Sequence, residues 1–365
     1  MMLGKTSFRP WTSFQPSGSK TMAHKSLIVF WLISLIPCST ADSQSAPFYQ
    51  DKTIRIVAGT TTGGTYDRWA RMFARTMPKY IPGNPNIVVQ NMPGAGSMVA
   101  ANYLYTVAKP DGLTIGMFQN NLYLDELVGR KEAQFKMVNF NWIGTQEKDP
   151  MMHYIRADSP YKSIEDIMKA KEPPKCSNSG TTDLTYIMTK ILEETLGAKF
   201  ALVSGYQGGS EAALAVEKGE VVCRTTRMAV HFSREPFLTW DKNGFDRHLL
   251  QGGMKRDPRA PDVPTIYELM GKHKTPEVSR RVAQVLLVGD DLGRPMVAPP
   301  GTPADKVKIL RDAYARSLRN SELLAEAKKS NLDVDPTSGE DLQVLIKELM
   351  NQTGTVIERV KNLVR

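Results

Sequence analysis

Cysteine and histidine are scarce in this chain, and most enzyme signatures are missing with them. Three cysteines occur among 365 residues. The five histidines (His24, His153, His231, His248 and His273) are scattered, with no His-Glu-x-x-His pair. Each histidine beyond the N-terminus therefore reads as a surface or hinge residue, with no metal site expected. No Gly-x-Ser-x-Gly elbow, Cys/His nucleophile pairing or P-loop occurs. The glycine-containing stretch GTTTGGTY (residues 59–66) lacks the lysine that would reach a terminal phosphate. No basic run is interleaved with aromatics, so the formal charge of +9 gives no indication of nucleic-acid binding. Internal repeats and long low-complexity tracts are absent too.

What is present is an ordinary globular composition. Hydrophobic residues make up 41% and charged residues 23%, over a length that accommodates two domains. Residues 1–41 are read as an export segment. His24 and Lys25 precede the apolar run SLIVFWLISLI (residues 26–36), which is short for a bilayer span, and small residues follow in STA (39–41). The polar stretch before Met22 suits a mis-assigned upstream start. Removing residues 1–41, with four basic groups and no acids, takes the formal charge from +9 to +5. Cys176 and Cys223 would remain, either paired or as two buried thiols.

The mature region opens with a βαβαβ pattern. TIRIVAG (53–59) is a β-branched strand, and Trp69, Met72, Phe73 and Thr76 mark one buried helical face. NIVVQ is a second strand, a helix follows over about 97–108, and KPDG turns into the strand LTIGMF. A second unit begins near Pro174, with KCSN, FALVSG and EVVCRTT as strands. Its first helix carries Leu184, Ile187, Met188, Ile191 and Leu192 on one face and ends at Gly197. Residues 141–160 read as a crossing strand and connector. The C-terminal part is helical, with Thr302 as cap and Pro303 at the first helical position, and a second start at Ser338/Asp341.

This alternation implies an α/β fold of two parallel-sheet lobes with helices on both faces and a cleft between them. The expected lobes are 51–148 with 252–365, and an inserted 149–251, with hinges near 145–152 and 248–255. In a 2-1-3 strand order Cys176 and Cys223 lie on neighbouring strands. A bridge is then geometrically possible, although parallel neighbours seldom carry one.

Four loops lie between a strand and a helix: TTTGG, MPGAGS, SNSGTT and YQGG. Gly94-Ala95-Gly96 suits a dinucleotide fold at first sight. Valine stands at the third glycine position, however, and Asp111 precedes the next strand where an acid should end it. A helix N-terminus carries unpaired N–H groups and partial positive charge, which suits carboxylates as well as phosphates. Each loop alone is an ordinary βα turn. Four together favour an anion cleft and a binding protein, with no catalytic residue and no cofactor. Asp67 in a first helical turn reads as a cap first and a loop-shaping group second.

The motifs IRIVAGTTTGGTYDRWAR, VVQNMPGAGSMVAANYLYTVAKPDGLTIG, GYQGGSEAALAVEKGEV, PDVPTIYELMG and VAPPGTPADKVKIL resemble the receptors of tripartite tricarboxylate transporters, the Bug proteins. The resemblance runs from about Lys52 to the C-terminus. It implies a type II periplasmic binding protein fold that closes around a small carboxylate and hands it to a membrane transporter of a large and a small subunit. It also implies a periplasmic location and a carboxylate held largely by backbone N–H groups and bound water from loops of both lobes; closure is expected to desolvate the anion against fixed dipoles without a buried counter-charge. Carried over by motif, the ligand-binding candidates are Thr61, Gly63, Gly64 and Asp67 in the first loop, and Ala95, Gly96 and Ser97 in the second. Ser179, Thr181, Thr182, Tyr206 and Gly208 come from the other two. Thr62, Met92, Ser97 and the GYQGG stretch depart from the family pattern near the mouth, so substrate identity does not transfer. The chain is expected to act as a monomer. Alternative readings are a ligand-presenting partner of a membrane sensor and, further off, a nucleotide-dependent oxidoreductase.

Overall fold

The computed structural model describes residues 46–180, 183–206 and 208–364. The expected export segment and two site candidates, Thr181 and Thr182, lie outside the described residues. Among the described residues, no helix is long and apolar enough to cross a membrane.

Among the described residues, eleven strands form two sheets. They are β1 (Thr53–Ala58), β2 (Asn86–Asn91), β3 (Thr114–Met117), β4 (Asn141–Thr145), β5 (Met151–Arg156), β6 (Lys175–Asn178), β7 (Ala201–Ser204), β8 (Cys223–Arg227), β9 (Asp246–Gln251), β10 (Met296–Ala298) and β11 (Thr337–Ser338). The first sheet has the order β11-β4-β10-β3-β1-β2 and the second β7-β6-β8-β5-β9. Each contains the 2-1-3 parallel core read from the sequence, β2-β1-β3 and β7-β6-β8. The sheets are mixed, however, and not purely parallel. Strand β10 runs antiparallel between β3 and β4, and β5 runs antiparallel between β8 and β9. Residues 141–160 thus supply two strands, one for each sheet, joined by the connector 146–150.

Side-chain alternation puts helices on both faces of each sheet. In β1, Ile54, Ile56 and Ala58 pack with Trp69, Met72 and Phe73 of the helix Thr65–Thr76, whereas Val57 packs with Ala101 and Leu104 of the helix Met98–Thr106. That second helix lies very close to the sheet. A Cβ at Gly116 would stand 2.0 Å from Leu104 Cδ1. In the second sheet Ile155, Cys176 and Cys223 pack against Met188, Ile191 and Leu192 of the helix Leu184–Leu196, and Tyr154 packs on the opposite face with Ala213 and Val216 of the helix Gly209–Glu217. The helix Glu277–Leu292 packs on Leu184–Leu196 although it belongs to the returning segment. Thr275 Oγ1 donates to the Thr195 carbonyl at 2.7 Å and Ser279 Oγ to Glu194 at 2.7 Å.

Gly197 ends its helix in the left-handed region at φ 68°. Ser338 caps the helix Gly339–Met350 through the Asp341 N–H. The C-terminal start near residue 302 differs from expectation. Pro303 takes the cap position ahead of the helix Ala304–Ser317, and Thr302 Oγ1 turns back to the Pro299 carbonyl.

Cys176 and Cys223 form a disulfide, which resolves the open alternative. They are direct register partners on β6 and β8, and their Cα atoms lie 4.5 Å apart. Closing a loop of 47 residues stabilises by restricting the unfolded chain. Thiol titration of denatured, unreduced protein beginning at Asp42 should find no free thiol, and reduction should lower stability by about 2–4 kcal/mol. Two titratable thiols would contradict the bridge.

Candidate functional site

In both sheets the carboxyl ends of parallel strands lead into the loops singled out from the sequence. The first loop (59–64) follows β1 and the second (92–97) follows β2. Ser97 ties them together, its Oγ donating to the Gly59 carbonyl at 2.8 Å. Gly59 itself donates to the Met117 carbonyl at 2.8 Å. Asn91, the last residue of β2, donates to the Thr60 carbonyl at 3.0 Å and to Asp67 Oδ1 at 2.9 Å. Asp67 is the hub of the first loop. Its carboxylate accepts from the Gly63 N–H at 2.8 Å and from Arg71 Nε at 3.0 Å. Burial raises its pKa, but the bonds from Arg71, Gly63 and Asn91 outweigh that and hold it below the usual carboxylate range. Asp67 is thus buried and committed to shaping the loop.

The second loop is built from left-handed backbone. Ala95, Gly96 and Ser97 have φ of 45°, 61° and 75°. For alanine and serine this conformation is costly and persists where the surroundings impose it. Here the Ser97–Gly59 bond and close packing impose it, because a Cβ at Gly59 would stand 2.7 Å from Ser97 Cβ. Ala95 and Gly96 stay exposed, while Ser97 is buried with its hydroxyl already used.

The other two loops are joined through Asn178, which ends β6. Its Oδ1 accepts from the Gly180 N–H at 3.0 Å and from Ser204 Oγ at 3.1 Å, and its Nδ2 donates to the Val203 carbonyl at 3.3 Å. Asp183 caps the helix Leu184–Leu196, accepting from the Thr185 N–H at 2.7 Å and Ser179 Oγ at 2.9 Å. Tyr206 is half-buried beside Ala213 and Trp240, and burial first, then Glu220 and Glu211, raise its phenol pKa, so it stays a neutral donor.

The four helix starts differ in one respect that bears on ligands. Gly64, Ser97 and Gly208 stand at the cap positions of the helices Thr65–Thr76, Met98–Thr106 and Gly209–Glu217, and none supplies a side-chain cap. Three helix N-termini at the loops are therefore uncapped by side chains. The fourth carries its own carboxylate, Asp183. A Cβ at Gly63, Gly180 or Gly208 would meet nothing within 4 Å. The first two need glycine for φ of 85° and 141°, whereas Gly208 is extended at φ 177°. Among the described residues, nothing calls for glycine at position 208.

Cations also surround this region, which sequence reasoning missed. Arg224 Nη1 donates to the Gly209 carbonyl at the start of the fourth-loop helix. A cavity of about 240 Å³ is lined by Thr65, Arg68, Arg234 and Arg294, with Glu147 and Asp149 at its wall. The last two belong to the connector 146–150 and join a buried charge cluster. Arg294 pairs with Glu147 and with Asp149, the latter at 3.3 Å, and Arg227 pairs with Asp290 and donates to the Asp149 carbonyl at 2.6 Å. Burial raises the pKa of Asp149, against the pull of Arg227, and pushes Asp290 up to about 6. Asn91 and Arg71 were detectable in sequence, as a polar strand end and an i+4 partner of Asp67. The charge cluster was not, because its members lie up to 147 positions apart in sequence, from Glu147 to Arg294.

Two histidines expected at the surface or a hinge are fully buried: His153 and His231 are 0% exposed. His153 packs edge-on against Phe200 and bonds Thr225 Oγ1 at 2.8 Å.

With this geometry in place, the comparisons define the class. Residues 70–362 match the tripartite tricarboxylate transporter family receptor, TctC. The chain belongs to this family of transporter receptors. A TctC solute-binding protein from Polaromonas, solved without ligand, aligns with a TM-score of 0.69 at 21% identity, over 86% of this chain and 99% of its own. A protein from R. palustris solved with adipate aligns at 0.57 and 19%, over 85% and 97%. MatC from Rhodopseudomonas palustris with bound malate aligns at 0.54 and 22%, over 86% and 99%. The two mixed sheets with helices on both faces are those of type II periplasmic binding proteins. No curated protein matches the chain in sequence.

Two outcomes are expected. Gly59→Ala should destabilise the protein by about 1–3 kcal/mol, since the added methyl meets Ser97 in a packed site; an unchanged melting midpoint would refute the tie between the loops. The raised Asp290 carboxyl binds its proton more tightly when folded. Its contribution to stability is therefore present below about pH 4, the ordinary carboxyl range, and lost as pH rises through about 6. Denaturant titrations between these limits should show that loss, and Asp290→Asn should flatten the slope.

Proposed function

We propose that this chain is an exported receptor that captures a small carboxylated metabolite and delivers it to the membrane subunits of a tripartite transporter. The observation that carries this reading is the set of three uncapped helix N-termini at glycine loops of both sheets, in a chain of the transporter-receptor family. Malate and adipate are held by proteins of this fold. Dicarboxylates are therefore the first substrate class to consider for this chain.

In the proposed arrangement residues 51–148 and 252–365 form one lobe and 149–251 the other. The lobes close about hinges near 145–152 and 248–255. Thr61, Gly64, Ala95 and Gly96 offer donors from the first lobe, while Gly63 lends its N–H to Asp67 and shapes the loop. Thr181, Thr182, Tyr206 and Gly208 offer them from the second, where Ser179 donates to Asp183 and steadies the loop. Asp67 and Ser97 act one step back, holding the first two loops in shape. Arg224 adds positive potential behind the fourth loop, and Arg68 and Arg234 add it beside the first. The receptor works as a monomer in the periplasm and performs no chemistry on its ligand.

Glycine at position 208 gives a test that separates binding from folding. Gly208→Val should leave stability within about 0.5 kcal/mol, because a Cβ there meets nothing within 4 Å and the backbone is extended. It should weaken carboxylate binding at least about tenfold by blocking approach to the helix start. Calorimetry of wild type and variant against mono-, di- and tricarboxylates, with malate and adipate included, reads both. A wild type that gives neither heat nor a melting shift across the set would sink the proposal.

A further inference from the structure

A separate polar cluster lies in the second sheet. Asp246 opens β9, and His248 follows two residues later, so both side chains leave the same face of the strand. His231 ends the helix Met228–His231, which packs on that face. Register pairs Asp246 with Arg156, at the end of the sheet opposite to where β8 leads into Arg227. The cluster is therefore distinct from the loops at the carboxyl ends of β6 and β7.

The three groups converge on one point. His231 Nε2 and His248 Nε2 are 2.7 Å apart. Asp246 Oδ2 lies 3.2 Å from the first and 3.5 Å from the second. The side chains of His231 and Asp246 are fully buried, and that of His248 is 13% exposed. Rings of Tyr154, Phe232 and Phe237 surround His231 at 5.1–5.3 Å between centroids, so little water screens the carboxylate.

Hydrogen bonding alone leaves this cluster unsatisfied. Each Nε2 carries at most one proton, and the contact between the two rings uses one of them. Among the described residues, neither oxygen of Asp246 accepts an aligned hydrogen bond. A buried carboxylate in that state costs several kcal/mol. A divalent cation at the common point would accept all three lone pairs at once.

The spacing fits such an ion. Ligand bonds of about 2.0 Å in a tetrahedral site put neighbouring donor atoms about 3.3 Å apart. The two nitrogen–oxygen separations already bracket that value. The two imidazoles must part by about 0.6 Å, and His248, the partly exposed member, is free to give way. Two imidazoles and a carboxylate, with one position left for water at the His248 edge, suit zinc, cobalt or nickel better than magnesium or calcium.

We propose that His231, Asp246 and His248 form a binding site for a divalent transition-metal ion of the zinc class. The ion would pin the helix after β8 to β9 and neutralise Asp246. This departs from the reading of the scattered histidines as non-ligands. The spacing of Asp246 and His248 stands in the sequence, but the strand that puts both on one face, and His231 beside them, come only from the fold.

The test uses tag-free mature protein stripped by chelator. Titration with cobalt(II) should produce the visible absorption of a low-coordinate ion, ending at one per chain, and zinc(II) should displace it. His248→Gln should lower zinc affinity at least about tenfold with unchanged circular dichroism. His273→Gln, outside the cluster, should leave it unchanged. Asp246→Asn supplies a second variant in case His248→Gln does not fold. Wild type without the cobalt absorption, or zinc binding that survives loss of His248 or Asp246, would overturn the site.

Discussion

Five charged side chains around the connector 146–150 govern how the rest of the molecule is arranged. Glu147, Asp149 and Asp290 are buried, and Arg227 and Arg294 are their counter-charges. A buried ion cluster contributes modestly to stability as a whole but punishes the loss of any one partner. Its members therefore fix one another's positions. Arg227 ends β8, Asp290 lies on the helix Glu277–Leu292 and Arg294 leads into β10, so the cluster gathers the segments that pass between the sheets. Backbone is pressed against it as well. A Cβ at Gly293 would stand 1.8 Å from the Glu147 carbonyl oxygen, and one at Gly252 would stand 2.5 Å from Asp290 Oδ2. Movement about the proposed hinge has to proceed with these charges still paired. That favours a few discrete arrangements over a continuum.

The glycine loops answer to this frame in a consistent way. Within each sheet, an asparagine at the end of a strand joins two neighbouring loops: Asn91 for the first pair and Asn178 for the second. Side-chain amides offer both donors and acceptors, so one residue can hold two backbone segments that would otherwise drift. The loops are thereby pre-shaped, with little left to reorganise on binding. Asp183 breaks the symmetry. It caps its own helix with a carboxylate, whereas the other three helix starts have no side-chain cap.

The sequence was legible wherever local periodicity carried the information. The 2-1-3 cores, the buried face of Trp69, Met72, Phe73 and Thr76, and the Gly197 cap all follow from spacing and residue type. The glycine loops were legible for the same reason, since a strand, a glycine cluster and a helix are contiguous. The antiparallel strands β5, β9 and β10 were harder to place, because their partners lie far away along the chain. The cysteines could be put on neighbouring strands but not in register, and register decided the bond.

Read alone, the sequence determined an α/β fold of two units, where its loops lie, and the family that its motifs resemble. Each of these rests on interactions within a few tens of residues. Tertiary structure decided which polar groups are available. It committed Asp67 and Ser97 to their loops, left Gly208 in open space, buried the charges of the connector and brought His231 to Asp246 and His248. The physical reason is common to all four. Whether a polar group is free or spent depends on what packs against it, and those neighbours come from distant parts of the chain.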